Sequence, residues 1–404
     1  MARRSIAFYS IMPSAQRHAS QHSTTQGQRS HEVFIVGAGV AGLATALVLT
    51  QAGHPCTVFE RRDPSAFAGM GFLLMPNGYE ALCELLGPEE ASGLGLKIDE
   101  LTLLPFNSST GLSTPGVGQR AMFRPSLIER LMGACRAVGV TFKFDMVLER
   151  CDMKTAEGEP PTLELSFINS SGARHTLPAR YLIGADGVRS LIRQTLFPNA
   201  QLSQPKLTEF VGLSPHALDR SSPVRLMKVH DHERVLAFGW MPINEGQQIW
   251  YAQMKCEAST PIEDGELRRR FLLTRYAGWP QEVTSLLSSC PFVRTYRWDT
   301  YDLLPLERCS RAGALLIGDA AHASLPISSQ GVSGALEDAV TLKALLKAQS
   351  LTPQRLTPER WAELCEAFEH ARRPIWSARH QESHALEARF LSGRTFSSVP
   401  TVDT

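Results

Sequence analysis

Three short segments carry residue types at spacings that can do chemistry: Gly37-Ala38-Gly39-Val40-Ala41-Gly42, Asp186-Gly187 and Gly318-Asp319. Glycines at the first, third and sixth positions of such a loop let backbone N–H groups close on a pyrophosphate, and the following helix adds its positive end. Each of the other two segments sets a carboxylate beside a glycine directly after an apolar run, where a strand would end. Carboxylates there point into the crevice in which open α/β sheets bind ligands. A glycine loop alone says only nucleotide. Together with two carboxylate-bearing strand ends it describes a dinucleotide gripped from three directions.

The elements needed to position these groups are legible. Glu32 to Val36 is a short β-rich run suited to a buried parallel strand. Gly37 allows the sharp turn, Gly39 the close approach of phosphate, and Gly42 the packing of helix on strand. Leu43, Ala46, Leu47 and Leu49 continue the helix to a C-cap at Gly53. A second strand, Cys56 to Phe59, delivers Glu60, 18 residues after Gly42. That is near the roughly 20 expected for the acid that binds ribose hydroxyls. Ala179 to Ala185 leads into Asp186, and Ala314 to Ile317 into Gly318-Asp319-Ala320-Ala321-His322. A helical pattern over Val332 to Lys347, with Leu336, Val340, Leu342, Leu345 and Leu346 as its apolar stripe, starts after Gln330-Gly331. Its N-terminus would face the same cleft as Asp319 and stabilise negative charge there.

With 404 residues the chain can build two domains sharing one cleft. Its 41 basic and 40 acidic residues give no electrostatic case for nucleic acid or an anionic membrane. The eight cysteines are scattered without a CxxC pair and read as reduced thiols. Val33 to Leu49 is uncharged but short of the roughly 20 residues of a membrane span, so no integral membrane segment is expected. Residues 1–30 carry four arginines, no acid and many Ser, Thr and Gln. Such a composition suits a disordered extension, a start upstream of Met12, or an organellar targeting peptide on an otherwise cytoplasmic protein.

Other patterns are weaker. His380 and His384 would share a helical face, but Glu382 is not where a metalloprotease acid must lie and no third ligand is evident, so an exposed polar helix and no metal are expected. His230-Asp231-His232 reads as a hydrophilic turn, and His322 as structural. Gly93-Leu94-Gly95 and Gly116-Val117-Gly118 lack flanking strand and helix patterns, so a second dinucleotide domain is not expected. There is no GxSxG elbow.

The set of motifs resembles the FAD-dependent monooxygenases of the aromatic hydroxylase type, the para-hydroxybenzoate hydroxylase-like family. Asp186, Gly187, Ser190 and Arg193 match its DGxxSxxR pattern at every fixed position, and Glu60-Arg61 its acid–arginine pair. Arg124-Pro125-Ser126-Leu127 with Leu131 is similar to its RxxLxxxL helix start, and Ala371-Arg372-Arg373-Pro374 to its C-terminal helix. Where the family reads GQGxN, this chain has Ser329-Gln330-Gly331-Val332-Ser333, with serines in place of a glycine and an asparagine.

The resemblance implies an α/β, overall α+β, fold: a Rossmann-like FAD-binding domain (31–72, 116–200 and 296–348) with an inserted antiparallel-sheet substrate domain (73–115 and 201–295). A helical region (349–404) closes the chain. It implies non-covalent FAD held by Gly37, Gly39, Val40, Gly42, Glu60, Arg61, Arg124, Val147, Asp186, Asp319, Gly331 and Val332. NADPH or NADH would reduce it as a transient co-substrate, and O2 would form a flavin hydroperoxide that passes one oxygen atom to a small ring-bearing substrate. Alternatives are a reductase or halogenase on the same scaffold, or a flavin-holding sensor; a monomer or homodimer is expected. Phe72, Leu74 and Asn77 are expected near the flavin, and Arg225, Tyr251 and Gln253 are candidate polar anchors for substrate. No catalytic side chain is assigned.

Overall fold

The computed structural model describes residues 31–63, 69–155, 158, 160–257 and 264–393. The expectations for residues 1–30 lie outside them. A six-stranded sheet forms the base, in the order Ser310–Arg311, Ala314–Leu316, Tyr181–Gly184, Val33–Val36, Cys56–Phe59, Thr141–Lys143. All its pairings are parallel except the edge pair of Ser310–Arg311 with Ala314–Leu316. Tyr181–Gly184 is buried throughout, as a parallel strand covered on both faces must be, which is why its residues are continuously apolar. The helices Val40–Gln51, Arg124–Ala137, Gly331–Ala348 and Pro358–Leu391 contribute Leu43, Leu47, Leu131, Leu342 and Phe368 to one core with these strands.

A seven-stranded sheet stands apart from it, in the order Tyr296–Asp299, Leu207–Pro215, Gln247–Lys255, Leu236–Pro242, Arg225–Asp231, Glu100–Pro105, Leu112–Pro115. It is antiparallel except where Glu100–Pro105 runs parallel to Arg225–Asp231. Strand alternation gives it two faces. One carries Phe210, Phe238 and Trp250, which pack with Leu272, Tyr276 and Leu287 of the helices Gly265–Arg275 and Gln281–Ser289. The other carries Val211, Met241 and Ile249, which pack on Ala121 and Leu73 of a small sheet formed by Gly71–Leu74, Arg120–Phe123 and Leu96–Lys97. Phe72 and Leu74 point the opposite way, into the main core.

One expectation is corrected here. His230 and Asp231 are buried residues of the strand Arg225–Asp231, not part of a hydrophilic turn. Asp231 accepts from the Arg234 backbone N–H at 3.1 Å, which lets a carboxylate end a buried strand. No helix among the described residues is long and apolar enough to cross a membrane.

Candidate functional site

The first helix starts at Gly39 with no side-chain cap and no acid in its first turn, leaving its N–H groups and positive end open. Its loop is compressed against the second motif. Gly37 has φ of +107°, and a Cβ there would lie 2.3 Å from the Ala185 carbonyl oxygen. A Cβ at Gly42 would meet the Gly37 carbonyl oxygen at 1.9 Å. Gly39 differs: a Cβ would find no atom within 4 Å, so the loop's open side faces away from protein. This is a cradle fitted to a phosphate-bearing group.

Glu60 is buried, and its carboxylate accepts the Ala38 backbone N–H at 2.8 Å and that of Arg62 at 3.0 Å. The acid therefore braces the glycine loop as well as presenting oxygens at the strand end. Arg61 is exposed beside it. Met146 donates its N–H to the Glu60 carbonyl at 2.9 Å, which brings Val147, 41% exposed, to the same edge. Arg124 opens its helix, is exposed, and lays its stem against Gly69, where a Cβ would lie 3.2 Å from Arg124 Cδ.

Asp186 turns partly inward. Its Oδ2 accepts the N–H groups of Leu191 at 2.8 Å and Ile192 at 3.2 Å, capping the short helix Leu191–Leu196, and burial pushes its carboxyl up from the usual range. Ser190 caps the same helix from its own side chain. Arg193, 2% exposed, then reaches the third motif, donating to Ala320 O at 3.0 Å and to Val188 O at 2.6 Å. Asp319 behaves differently from Asp186: it is exposed, and its carboxylate has no hydrogen bond or ion pair among the described residues. A Cβ at Gly318 would lie 2.7 Å from Ala41 Cβ, so the third motif sits directly on the first helix.

Gly331 and Val332 begin the helix Gly331–Ala348, which has neither a side-chain cap nor a first-turn acid. Asn77 donates to Gln330 Oε1 at 3.1 Å and to Glu337 Oε1 at 2.8 Å, placing it at this helix start. The two departures from the resembling family acquire physical content. Ser329 has φ of +55°, the left-handed region a glycine would take more easily. Ser333 is fully buried against Gly78, where a Cβ would lie 2.4 Å from Ser333 Oγ, so a small residue here permits a close helix crossing.

A buried ionic network lies behind this helix. Asp338 accepts from Gly318 N at 2.9 Å, His322 Nε2 at 2.6 Å and Arg372 Nε at 2.8 Å. Burial alone would raise its pKa, but His322, Arg372 and the Gly318 N–H outweigh that and hold it at about 2. Glu337 takes Arg372 and Arg379. His322 also stacks on Trp376 with ring centroids 4.4 Å apart, a structural placement. The sequence offered one signal for this network, two acids within an otherwise apolar helix stripe, and it went unread.

The inner face of the seven-stranded sheet carries a polar group. Glu209 opposes Gln253, Val211 opposes Tyr251, Tyr251 opposes Gly239, and Gly239 opposes Lys228, so all share that face. Gln253 Nε2 donates to Glu209 Oε1 at 2.7 Å, while its own Oε1 is buried without a hydrogen bond. Tyr251 lies flat over Gly239, where a Cβ would stand 2.3 Å from its Cζ. Burial pushes Glu209 up and Lys228 down, each opposed by the other's charge. Arg225 is on the opposite face, paired with Glu100 at 2.7 Å, which removes it from this wall.

A glycine cradle, a ribose-type acid and two uncapped helix ends around one largely parallel sheet define a dinucleotide-holding protein. The chain belongs to the FAD binding domain family, whose model matches residues 30–382, and it is an FAD-dependent monooxygenase of the aromatic hydroxylase type that uses NAD(P)H. It is 27% identical over 380 residues to 3-amino-4-hydroxybenzoate 2-monooxygenase of Streptomyces cremeus, covering 90% of this chain and 88% of that one. To 2-heptyl-3-hydroxy-4(1H)-quinolone synthase of Pseudomonas aeruginosa it is 30% identical, over 78% of this chain and 80% of that one. Its fold matches that of Klebsiella pneumoniae HpxO, crystallised with FAD and uric acid, with a TM-score of 0.69 at 21% identity, covering 91% and 93% of the two chains.

Proposed function

We propose that the substrate is a small ring-bearing molecule with a hydroxyl or amino donor, oxygenated on the inner face of the seven-stranded sheet. The observation that carries this is the buried, unpartnered Gln253 Oε1 on the same sheet face as the apolar Val211, Met241 and Ile249. An apolar patch beside an oriented acceptor favours a ring carrying a donor group. One relative's name gives a ring substrate, an aminohydroxybenzoate, and the other's a ring product, a hydroxyquinolone, which supports the same class.

FAD supplies the redox and oxygen chemistry when bound. In this reading the N–H groups after Gly39 take the pyrophosphate, with Arg124 neutralising it. Glu60 accepts from ribose hydroxyls while its two backbone bonds keep the loop closed. The exposed carboxylate of Asp319 would help hold the cofactor. The uncapped start at Gly331 and Val332 stabilises negative charge on the ring system. Gln253 orients the substrate, and Glu209 fixes which way the Gln253 amide points. The surrounding apolar side chains exclude water.

The test is oxygen uptake by the FAD-loaded protein with NADH or NADPH and a panel of hydroxylated and aminated ring acids, quinolones and purines. At least one ring should raise NAD(P)H oxidation well above the substrate-free rate, with product formed. If apolar chains without rings stimulate turnover and no ring does, the proposed substrate class is wrong.

A further inference from the structure

Asp302, His380 and His384 form a cluster outside the residues assigned to FAD. The two histidines are four apart on the helix Pro358–Leu391, so their rings lie on one face with centroids 4.3 Å apart. Asp302, absent from the sequence expectation, supplies the third group. It lies in the segment that returns from Tyr296–Asp299 to the base sheet. Its backbone is clamped by Ser203, through Ser203 N to Asp302 O at 2.9 Å and Asp302 N to Ser203 Oγ at 3.1 Å. The expected exposed polar face is therefore wrong: the carboxylate is fully buried, and the histidine side chains are only 20% and 31% exposed.

We propose that these three residues form a site for a divalent transition-metal ion of the zinc, cobalt or nickel kind. The three ligand atoms all lie within 4.8 Å of one another. Only one pair is satisfied as a hydrogen bond, His384 Nε2 to Asp302 Oδ2 at 2.6 Å. His380 Nε2 stands 3.0 Å from the same oxygen but off the line of a hydrogen bond, and both it and Asp302 Oδ1 are buried without hydrogen-bond partners. Two orphaned polar atoms in one cluster are costly, and an ion held by all three side chains would give them partners. No Lys or Arg neutralises Asp302 among the described residues: Lys206 is engaged by Glu387 and Arg379 by Glu337. Two imidazole nitrogens and one carboxylate oxygen suit borderline ions, and leave a position for water on the solvent side. Magnesium and calcium, which want oxygen ligands, do not fit this set. The ion would cross-link the C-terminal helix to the segment between the two large sheets, and His380 lines a cavity that also takes in His322 and Gln330.

The experiment uses the full chain with FAD bound, stripped with chelator and titrated with Co2+. Wild type should bind one equivalent with visible d–d bands and no thiolate charge transfer, which excludes the cysteines. Zn2+ should compete and raise the melting temperature. Asp302→Asn and His384→Asn should each weaken binding at least tenfold, with the yellow, FAD-loaded state confirming that each variant folds. Failure to see saturable binding overturns the proposal. So does binding that survives in Asp302→Asn, or in the His380→Asn, His384→Asn double variant.

Discussion

Arg193 donates to the carbonyl of Ala320, 127 positions along the chain, at 3.0 Å. This contact fastens the second motif to the third, while the glycine loop is pressed against Ala185 on the other side of Asp186. The three segments are thus mutually braced before any cofactor arrives. Arg193→Ala would remove the donor to the buried Ala320 carbonyl and to the partly buried Val188 carbonyl. The expected loss is about 3 kcal/mol in chemical denaturation, with FAD lost on gel filtration. Lysine keeps the charge but not the fork, so Arg193→Lys should recover less than half of it.

Glu60→Gln tests the ribose-type acid. Glutamine puts an amide NH2 where one oxygen now accepts a backbone N–H. FAD affinity, read by quenching of flavin fluorescence, should fall about tenfold, or about 1.4 kcal/mol. An unchanged affinity would mean that the Glu60 charge is not needed to hold FAD.

The serine departures separate into backbone and packing effects. Ser329→Gly should stabilise the protein by up to about 1 kcal/mol, because the left-handed conformation strains any side chain. Ser333→Asn must fit more atoms against Gly78 and should cost about 1–3 kcal/mol. Ser333→Ala removes a buried hydroxyl that lacks a partner and should be near neutral. Thermal melts of the three variants distinguish these outcomes.

Acid stability should report Asp338. Its folded pKa of about 2 lies below the ordinary 3.8, so its contribution is present above pH 4 and is lost as pH falls from there towards 2. Asp338→Asn should be less stable than wild type at pH 7, with a flatter profile of melting temperature across that window. A mutant profile as steep as wild type would place the acid sensitivity elsewhere.

Gln253→Leu should raise KM for the ring substrate about tenfold or more while leaving FAD affinity unchanged, since the side chain lies on the second sheet. An equal fall in FAD affinity would mean that the residue serves cofactor rather than substrate.

How much of this was legible depends on whether the signal is local. The strand–loop–helix from Val33 to Gln51 and the run leading to Glu60 were readable because glycine placement and apolar runs are properties of neighbouring residues. The antiparallel sheet expected within 201–295 is present, but that stretch also holds the helices Gly265–Arg275 and Gln281–Ser289, and the pairing of Glu100–Pro105 with Arg225–Asp231 had no local signature. His230 and Asp231 were misread because polarity was weighed without the Arg234 backbone contact that makes their burial tolerable. Asp186 showed its type but not its direction, since capping by Leu191 and Ile192 competes with facing the cleft. Glu209 and Asp302 were invisible: each matters through a partner tens of residues away.

The most direct measurement is turnover under 18O2 with NAD(P)H and the best ring substrate, with mass spectrometry of the product. One labelled oxygen atom per product molecule, with none taken from labelled water, is the expected result. Substrate-stimulated NAD(P)H oxidation that yields only hydrogen peroxide, or product oxygen drawn from water, would contradict oxygen insertion by this protein.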